Sequence, residues 1–231
     1  MNKRLDVIPI IPSLDPDYKL IKIVNDLIAN DFNQIIIVDD GSSDKSLFEE
    51  LKKKEECIVL THEVNKGKGE ALKTAFAYYK AHLFEDNKGV VCLDSDGQHL
   101  VEDVINISKV MVNNDLFVLG TRCFDTKETP KRNKLGNNLT SELFYKLYGI
   151  YLKDTQTGLR AIPNRLIDMH LETDGSRFEY ELNVLIDLVK RKETILQIDI
   201  KTVYLKDSNR RSHFKVVKDS YRVYKVLFSR K

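Results

Sequence analysis

Apolar positions along this chain recur with two different spacings, and the two alternate. Residues 7–11, 34–38, 58–61, 90–93 and 116–120 are short, nearly continuous apolar runs with the length of strands. Ile35-Ile36-Ile37-Val38 contains no polar position, which predicts a strand buried on both faces. Pro9 and Pro12 predict irregular backbone towards the end of the first strand. Between the runs, apolar residues return every three or four positions. Leu20, Ile23, Val24, Leu27 and Ile28 form such a stripe behind Asp15-Pro16, which reads as a cap followed by proline at the first helical position. Further helices are expected from about 44 to 54, from 65–69 to about 81, and from 101 to 113. This alternation predicts an α/β fold, with a mostly parallel central sheet and helices on both faces.

The second half is less regular. Residues 123–134 are polar and contain Pro130, as expected of a loop over a site. A helix over 137–148 has an apolar face of Leu139, Leu143, Phe144, Leu147 and Tyr148. A short strand is expected at 159–162, an amphipathic helix at 178–190, and two short strands or one bent strand over 195–204. Over 214–228, Phe214, Val217, Tyr221, Tyr224 and Phe228 share one helical face, while Lys215, Lys218, Arg222 and Lys225 share another. A basic, aromatic helix of this kind docks on its own domain, lies on an anionic membrane surface, where each cation adds about 1 kcal/mol, or does both in part; a nucleic-acid-binding tail is a third, weaker reading. No repeat or low-complexity linker interrupts the chain, so its 231 residues are read as a single domain.

Composition narrows the class without naming a function. Hydrophobic residues at 42% with 31% charged are ordinary for a soluble globular chain. A net charge of +2 gives no argument for nucleic acid. The three cysteines, Cys57, Cys92 and Cys123, have no metal-site or redox spacing and read as reduced packing residues in a cytosolic protein. No signal peptide is visible, and no apolar run nears the ~20 residues of a membrane span. The expected location is therefore cytoplasmic, peripheral at the inner face of the membrane if the 214–228 helix lies there.

Candidate chemistry sits directly after the strands: Asp39-Asp40-Gly41, Asn65-Lys66-Gly67, Asp94-Ser95-Asp96 and Thr121-Arg122. In an open α/β sheet the ligand crevice lies outside the carboxyl ends of the strands, so four clusters at four such ends converge on one site. Asp94 and Asp96 are two apart, and in extended backbone both side chains point the same way. With Gln98 they form an all-oxygen set suited to Mg2+ or Mn2+, although a solvated acidic turn has the same composition. Asp39 could accept hydrogen bonds from a nucleotide base, or simply cap a turn. The Asn65–Gly69 stretch lacks P-loop spacing. Its glycines still allow backbone to approach an anion, with Lys66 or Lys68 adding charge. Arg122, Lys131 and Arg132 are cations placed to bind a phosphate, or a solvated basic loop.

Asp39-Asp40-Gly41-Ser42-Ser43-Asp44, Asn65-Lys66-Gly67-Lys68-Gly69 and Asp94-Ser95-Asp96-Gly97-Gln98-His99 resemble the ordered motifs of family 2 glycosyltransferases. Asp154-Thr155-Gln156-Thr157-Gly158-Leu159-Arg160, Arg177-Phe178-Glu179-Tyr180-Glu181 and Ser212-His213-Phe214 with Asp219-Ser220 resemble the polyprenyl-phosphate hexose synthases within it. The resemblance covers residues 5 to 225 and implies a Rossmann-like fold of the GT-A type. It implies nucleotide-sugar contacts (a UDP- or GDP-hexose) at Pro9, Ile11, Pro12, Asp39, Asp40, Lys66, Gly67, Asp94 and Ser95. It implies a metal held by Asp94, Asp96 and Gln98, with Asp94 and Asp96 as the catalytic pair, and a polyprenyl phosphate acceptor at Arg122 and Arg132. Because the chain ends at Lys231 without a hydrophobic domain, any membrane anchor is expected to be a separate small membrane protein.

A lipid phosphate is already an anionic nucleophile, so no general base is required. Transfer to a saccharide hydroxyl, in capsule or cell-wall polymer assembly, would need one, and Glu179 and Asp154 are the candidates. A non-catalytic nucleotide-sugar-binding subunit of a membrane complex is the third reading. The intact Asp94-Ser95-Asp96 argues against it.

Overall fold

Strands without a polar position can be satisfied only inside a sheet with helices on both sides, and the chain builds one. The computed structural model describes residues 5–123, 131–201 and 216–229, without the side chains of 131–135, 216–221 and 223. Seven strands form one sheet: β1 (Val7–Ser13), β2 (Ile35–Asp39), β3 (Cys57–Thr61), β4 (Gly89–Cys92), β5 (Phe117–Arg122), β6 (Arg160–Pro163) and β7 (Ile195–Ile200). Their order is β3-β2-β1-β4-β6-β5-β7. Every pairing is parallel except the two made by β6, which runs antiparallel between β4 and β5.

The helices are α1 (Lys19–Ala29), α2 (Ser46–Leu51), α3 (Lys68–His82), α4 (Val101–Asn114), α5 (Lys131–Tyr148), α6 (Ile167–Glu172), α7 (Glu179–Lys190) and α8 (Val216–Ser229). Alternate strand residues divide between two cores. Ile36, Val38, Val90 and Cys92 pack with Leu72 and Phe76 of α3 and Leu185 of α7. Ile35, Ile37 and Val91 pack with Leu20 and Val24 of α1, Phe48 of α2 and Ile107 of α4. A strand apolar on both faces cannot set its own register by alternation. For β2 the polar end supplies it, since a slip would carry Asp39 out of line with Ser13.

Burial pushes the thiols of Cys57 and Cys92 up to about 11 and about 12, so both stay protonated at neutral pH. At the C-terminal side, α8 packs against the rest through Leu227, whose carbonyl accepts the Tyr148 hydroxyl at 3.0 Å.

Several elements differ from expectation. The prolines do not end β1, which continues to Ser13. Ser13 O accepts from Asp40 N on the β2 side, while Ile10 O accepts from Leu93 N on the β4 side. By strand alternation the donors missing at Pro9 and Pro12 therefore fall on opposite neighbours, one lost from each ladder. Asp15 does not cap α1. It sits at φ +41 and accepts the Ser43 N–H and hydroxyl at 2.7 and 2.8 Å, pinning the loop after β2 instead. Helix α5 begins at Lys131, so residues 131–134 belong to a helix and not to a loop. One strand, β7, occupies 195–200. Residues 202–204, the Ser212–Phe214 motif and the 124–130 part of the expected loop lie outside the described residues.

His170 of α6 is held with its ring edge-on to Phe76 at 5.4 Å and stacked near Phe117 at 6.1 Å. Burial lowers its pKa from 6.5 to about 4, with the nearby Arg160 cation pushing the same way. Between those values the unfolded chain binds the proton and the folded chain does not. Stability is therefore complete above pH 6.5 and falls as pH drops towards about 4, by at most about 1.4 kcal/mol per pH unit from this group. Urea midpoints measured across that window should fall less steeply in His170→Gln than in the wild type. An identical slope would mean that another group governs the acid limb.

Candidate active site

The chain winds from β1 to β2 to β3 on one side, then returns to place β4 on the other side of β1. That reversal opens a crevice at the carboxyl ends of β1 and β4. Ser13 ends β1 beside Asp39 of β2, and its hydroxyl is buried with no partner among the described residues. Pro9, Ile11 and Pro12 are all buried within β1, with Pro12 next to its last residue, Ser13.

Asp39 is fully buried. Its Oδ1 accepts from Ser42 N at 2.8 Å and its Oδ2 from Lys45 Nζ at 2.5 Å. Asp40 is differently placed from the contact expected of it. It accepts from His62 Nδ1 at 2.7 Å, Lys66 N at 2.9 Å and Gly67 N at 2.8 Å. These bonds hold the 65–67 loop, and the Lys66 side chain points outward, exposed. Gly67 has φ +107, and a Cβ there would lie 2.4 Å from Ser176 O, so glycine lets the 175–177 segment dock on the start of α3. Arg177 completes the dock by donating to Asn65 Oδ1 at 3.0 Å.

At the end of β4 the carboxylates are treated unequally. Asp94 Oδ1 receives Lys68 Nζ at 2.7 Å, and the same ammonium reaches Glu181 Oε2 at 2.9 Å. Burial alone would raise the Asp94 pKa, but the Lys68 ammonium and His99 reverse this and hold it well below the carboxylate range. Burial likewise works against the Lys68 charge, and the two carboxylates overcome it. Asp96 lacks such a cation. Partial desolvation and the Asp94 charge push it upward, while Gln98 donates to it through backbone and side chain. Ser95 between them is half-buried. A Cβ on Gly158 would fall 2.4 Å from Asp94 Oδ2, so glycine there is what leaves space for the carboxylate. His99 is buried with Nε2 3.4 Å from Asp94 Oδ2, and its Nδ1 has no partner among the described residues.

Of the expected acceptor cations, Arg122 is placed by the structure in an ion pair. Arg122 forms a bidentate pair with the buried Asp154, Nε to Oδ2 at 2.6 Å and Nη2 to Oδ1 at 3.0 Å. The pair neutralises both charges, which fits a role in fixing the 154–158 turn better than free capture of a phosphate, and it removes Asp154 as a base. Arg132 and Lys131 open α5, and their side chains lie outside the described residues. Glu179 Oε1 accepts from Ser176 N and Arg177 N, so it holds the 175–177 segment in place before α7.

Glu181, His62, Arg160 and Gly158 were not singled out from sequence. Glu181 and Arg160 lay within motifs already noted, but their partners are distant along the chain. Among the described residues, no group of three or more His, Cys, Asp or Glu gathers as a ready metal site, and no helix is long and apolar enough to cross a membrane.

Asp154→Leu should strand the largely buried Arg122 guanidinium without this carboxylate, destabilising the fold by about 3–5 kcal/mol. Adding Arg122→Met should recover most of that loss. Urea unfolding of the two variants tests the pair, and no recovery in the double variant would contradict it.

The model of glycosyl transferase family 2 matches residues 10–172. The UDP-N-acetylglucosamine–dolichyl-phosphate N-acetylglucosaminyltransferase of Methanococcus voltae is 32% identical over 215 residues, covering 84% of each chain. An uncharacterised protein of Methanocaldococcus jannaschii is 28% identical over 204 residues, 86% of this chain and 82% of that one. Among solved structures, glucosyl-3-phosphoglycerate synthase from Mycobacterium tuberculosis in complex with phosphoglyceric acid superposes with a TM-score of 0.75 at 18% identity. That match covers 97% of this chain and 79% of the synthase. Its complex with Mn2+, UDP and phosphoglyceric acid gives 0.73 at 19%, over 97% and 78%. These neighbours carry the GT-A fold, and on the family match and the Methanococcus relative together, the chain is a glycosyltransferase of family 2.

Proposed function

We propose that the protein transfers a sugar from a nucleoside diphosphate donor to polyprenyl phosphate, in a metal-dependent, in-line, inverting reaction. The observation that carries this reading is the pair Asp94 and Asp96 at the end of β4, in the crevice where β1 and β4 diverge. Support for the acceptor comes from the relative named for dolichyl phosphate. Support for a UDP donor comes from that same name and from the UDP complexes of the structural neighbours. The unpartnered Ser13 hydroxyl and the Asp39 carboxylate, side by side, would receive the base.

The donor set fits a small hard cation. Asp94 and Asp96 are mutually repelling carboxylates, and Gln98 adds a carboxamide beside them. Two carboxylates and a carboxamide suit Mg2+ or Mn2+, which take oxygen ligands and keep open positions for water and phosphate oxygens. When bound, the metal would offset the charge that builds on the diphosphate as it leaves. Asp94 and Asp96 would hold it, and the missing side chain at Gly158 makes room for the Asp94 carboxylate. The acceptor phosphate is its own nucleophile, so the bonds of Glu179 to the 175–177 segment and the Asp154 ion pair leave the chemistry intact. Arg132 and Lys131 are then the cations for that phosphate. The whole chain works as one domain, and the exposed Phe228 and Lys225 of α8 would rest on anionic lipid at the inner membrane face.

Purified protein with Mn2+ or Mg2+, polyprenyl phosphate and radiolabelled UDP-N-acetylglucosamine, UDP-glucose or GDP-mannose should carry label from one donor into organic solvent. Asp94→Asn and Asp96→Asn should each lower transfer by at least about 100-fold with an unchanged urea midpoint. Transfer that persists in EDTA would defeat the metal assignment. Donor binding without any labelled lipid would defeat the acceptor and bring saccharide hydroxyls forward.

A further inference from the structure

Lys68 and Glu181 take no part in the chemistry above, yet both are largely buried charges next to it. The Lys68 side chain is 15% exposed and the Glu181 side chain 9%. One ammonium lies 2.7 Å from Asp94 Oδ1 and 2.9 Å from Glu181 Oε2, bridging the end of β4 to helix α7. Glu181 has no closer cation among the described residues. Arg160 Nε stands 4.0 Å away, and its N–H groups are directed at the carbonyls of Thr157, Glu181 and Thr155.

We infer that Lys68 and Glu181 form a cation-exchange device that sets the affinity of Asp94 for a divalent ion. Lys68 neutralises Asp94 while no ion is there. A divalent cation that takes Asp94 must displace the ammonium from Oδ1, because the other oxygen, Oδ2, faces the buried His99 ring at 3.4 Å. A displaced, buried ammonium beside an incoming dication would be strongly disfavoured if it had no anion of its own. Glu181 is that anion, already in contact, so the lysine gives up one carboxylate and keeps the other. In this scheme Lys68 and Glu181 are positioning residues, acting on the metal through Asp94. The inference rests on the reading of Asp94 as a metal ligand.

The scheme makes a prediction that a simple electric field does not. Mn2+ binding to the full chain without nucleotide, followed by the EPR signal of free Mn2+, supplies the readout. Lys68→Met should tighten Mn2+ by about tenfold, and Glu181→Gln should weaken it by about tenfold. If Glu181 acts through Lys68, Glu181→Gln should do nothing once Lys68 is gone. The double variant Lys68→Met/Glu181→Gln should then bind as tightly as Lys68→Met. Independent through-space effects would instead cancel and return the double variant to wild-type affinity, which would overturn the exchange. The double variant leaves no unpaired charge at Lys68 or Glu181, so the comparison survives even if Lys68→Met alone does not fold. Mn2+ binding that persists in Asp94→Asn, or is absent from the wild type, would remove the metal reading itself and the exchange with it. Binding that needs Asp94 but cancels in the double variant would remove only the exchange.

Discussion

Four carboxylates near the functional edge of this sheet are almost completely buried: Asp39, Asp40, Asp154 and Glu181. An ionised carboxylate removed from water carries a penalty of several kcal/mol unless its oxygens are met by cations or N–H donors. The loops around the site take their shapes from that demand. Asp39 draws Lys45 back over the end of β2, and Asp40 gathers His62 and two backbone N–H groups. Asp154 holds Arg122, and Glu181 shares Lys68 with the half-buried Asp94. The partners come from different strands and helices, so charge compensation ties the first half of the chain to the second at the place where the ligand crevice opens.

The antiparallel strand β6 serves the same edge. A parallel β6 would carry the 154–158 turn to the opposite edge of the sheet, away from the carboxyl end of β4. Because β6 runs the other way, its first residue, Arg160, lies beside Cys92, and the preceding turn meets the end of β4. That reversal is what puts Gly158 against the Asp94 carboxylate and Asp154 beside Arg122. The end of β4 is therefore enclosed from α3 on one side and from the turn before β6 on the other.

The first five strands and the helices between them were legible because short apolar runs alternate with segments of helical spacing, and polar clusters mark where each run ends. The direction of β6 was not, since a short buried strand looks the same whichever way it runs. The reach of β1 was misjudged because proline reads as a strand breaker, while two prolines of opposite parity remove only one donor from each neighbouring ladder. The charged positions of the site were visible, but their pairing was not. Arg122 and Asp154 are 32 residues apart and Lys68 and Asp94 are 26 apart, and sequence gives no measure of which cation meets which anion. Arg122 therefore read as a phosphate ligand and Asp154 as a base, where the fold joins them.

Asp94 and Asp96 show how far the fold, and not residue type, decides chemistry. They are the same amino acid two positions apart, and their carboxyls are driven in opposite directions. The difference lies in direct contact. Lys68 and His99 both reach Asp94, whereas Asp96 is bonded by the neutral Gln98 and feels those two groups only at a distance, beside the repelling Asp94. Counting Asp94, Asp96 and Glu181 against Lys68 and Arg160, the cluster keeps an excess of negative charge. A purely structural network would be expected to close that deficit, as the Arg122–Asp154 pair does nearby. Here the excess faces the crevice through the exposed Asp96, and under the proposed function a divalent cation would offset it.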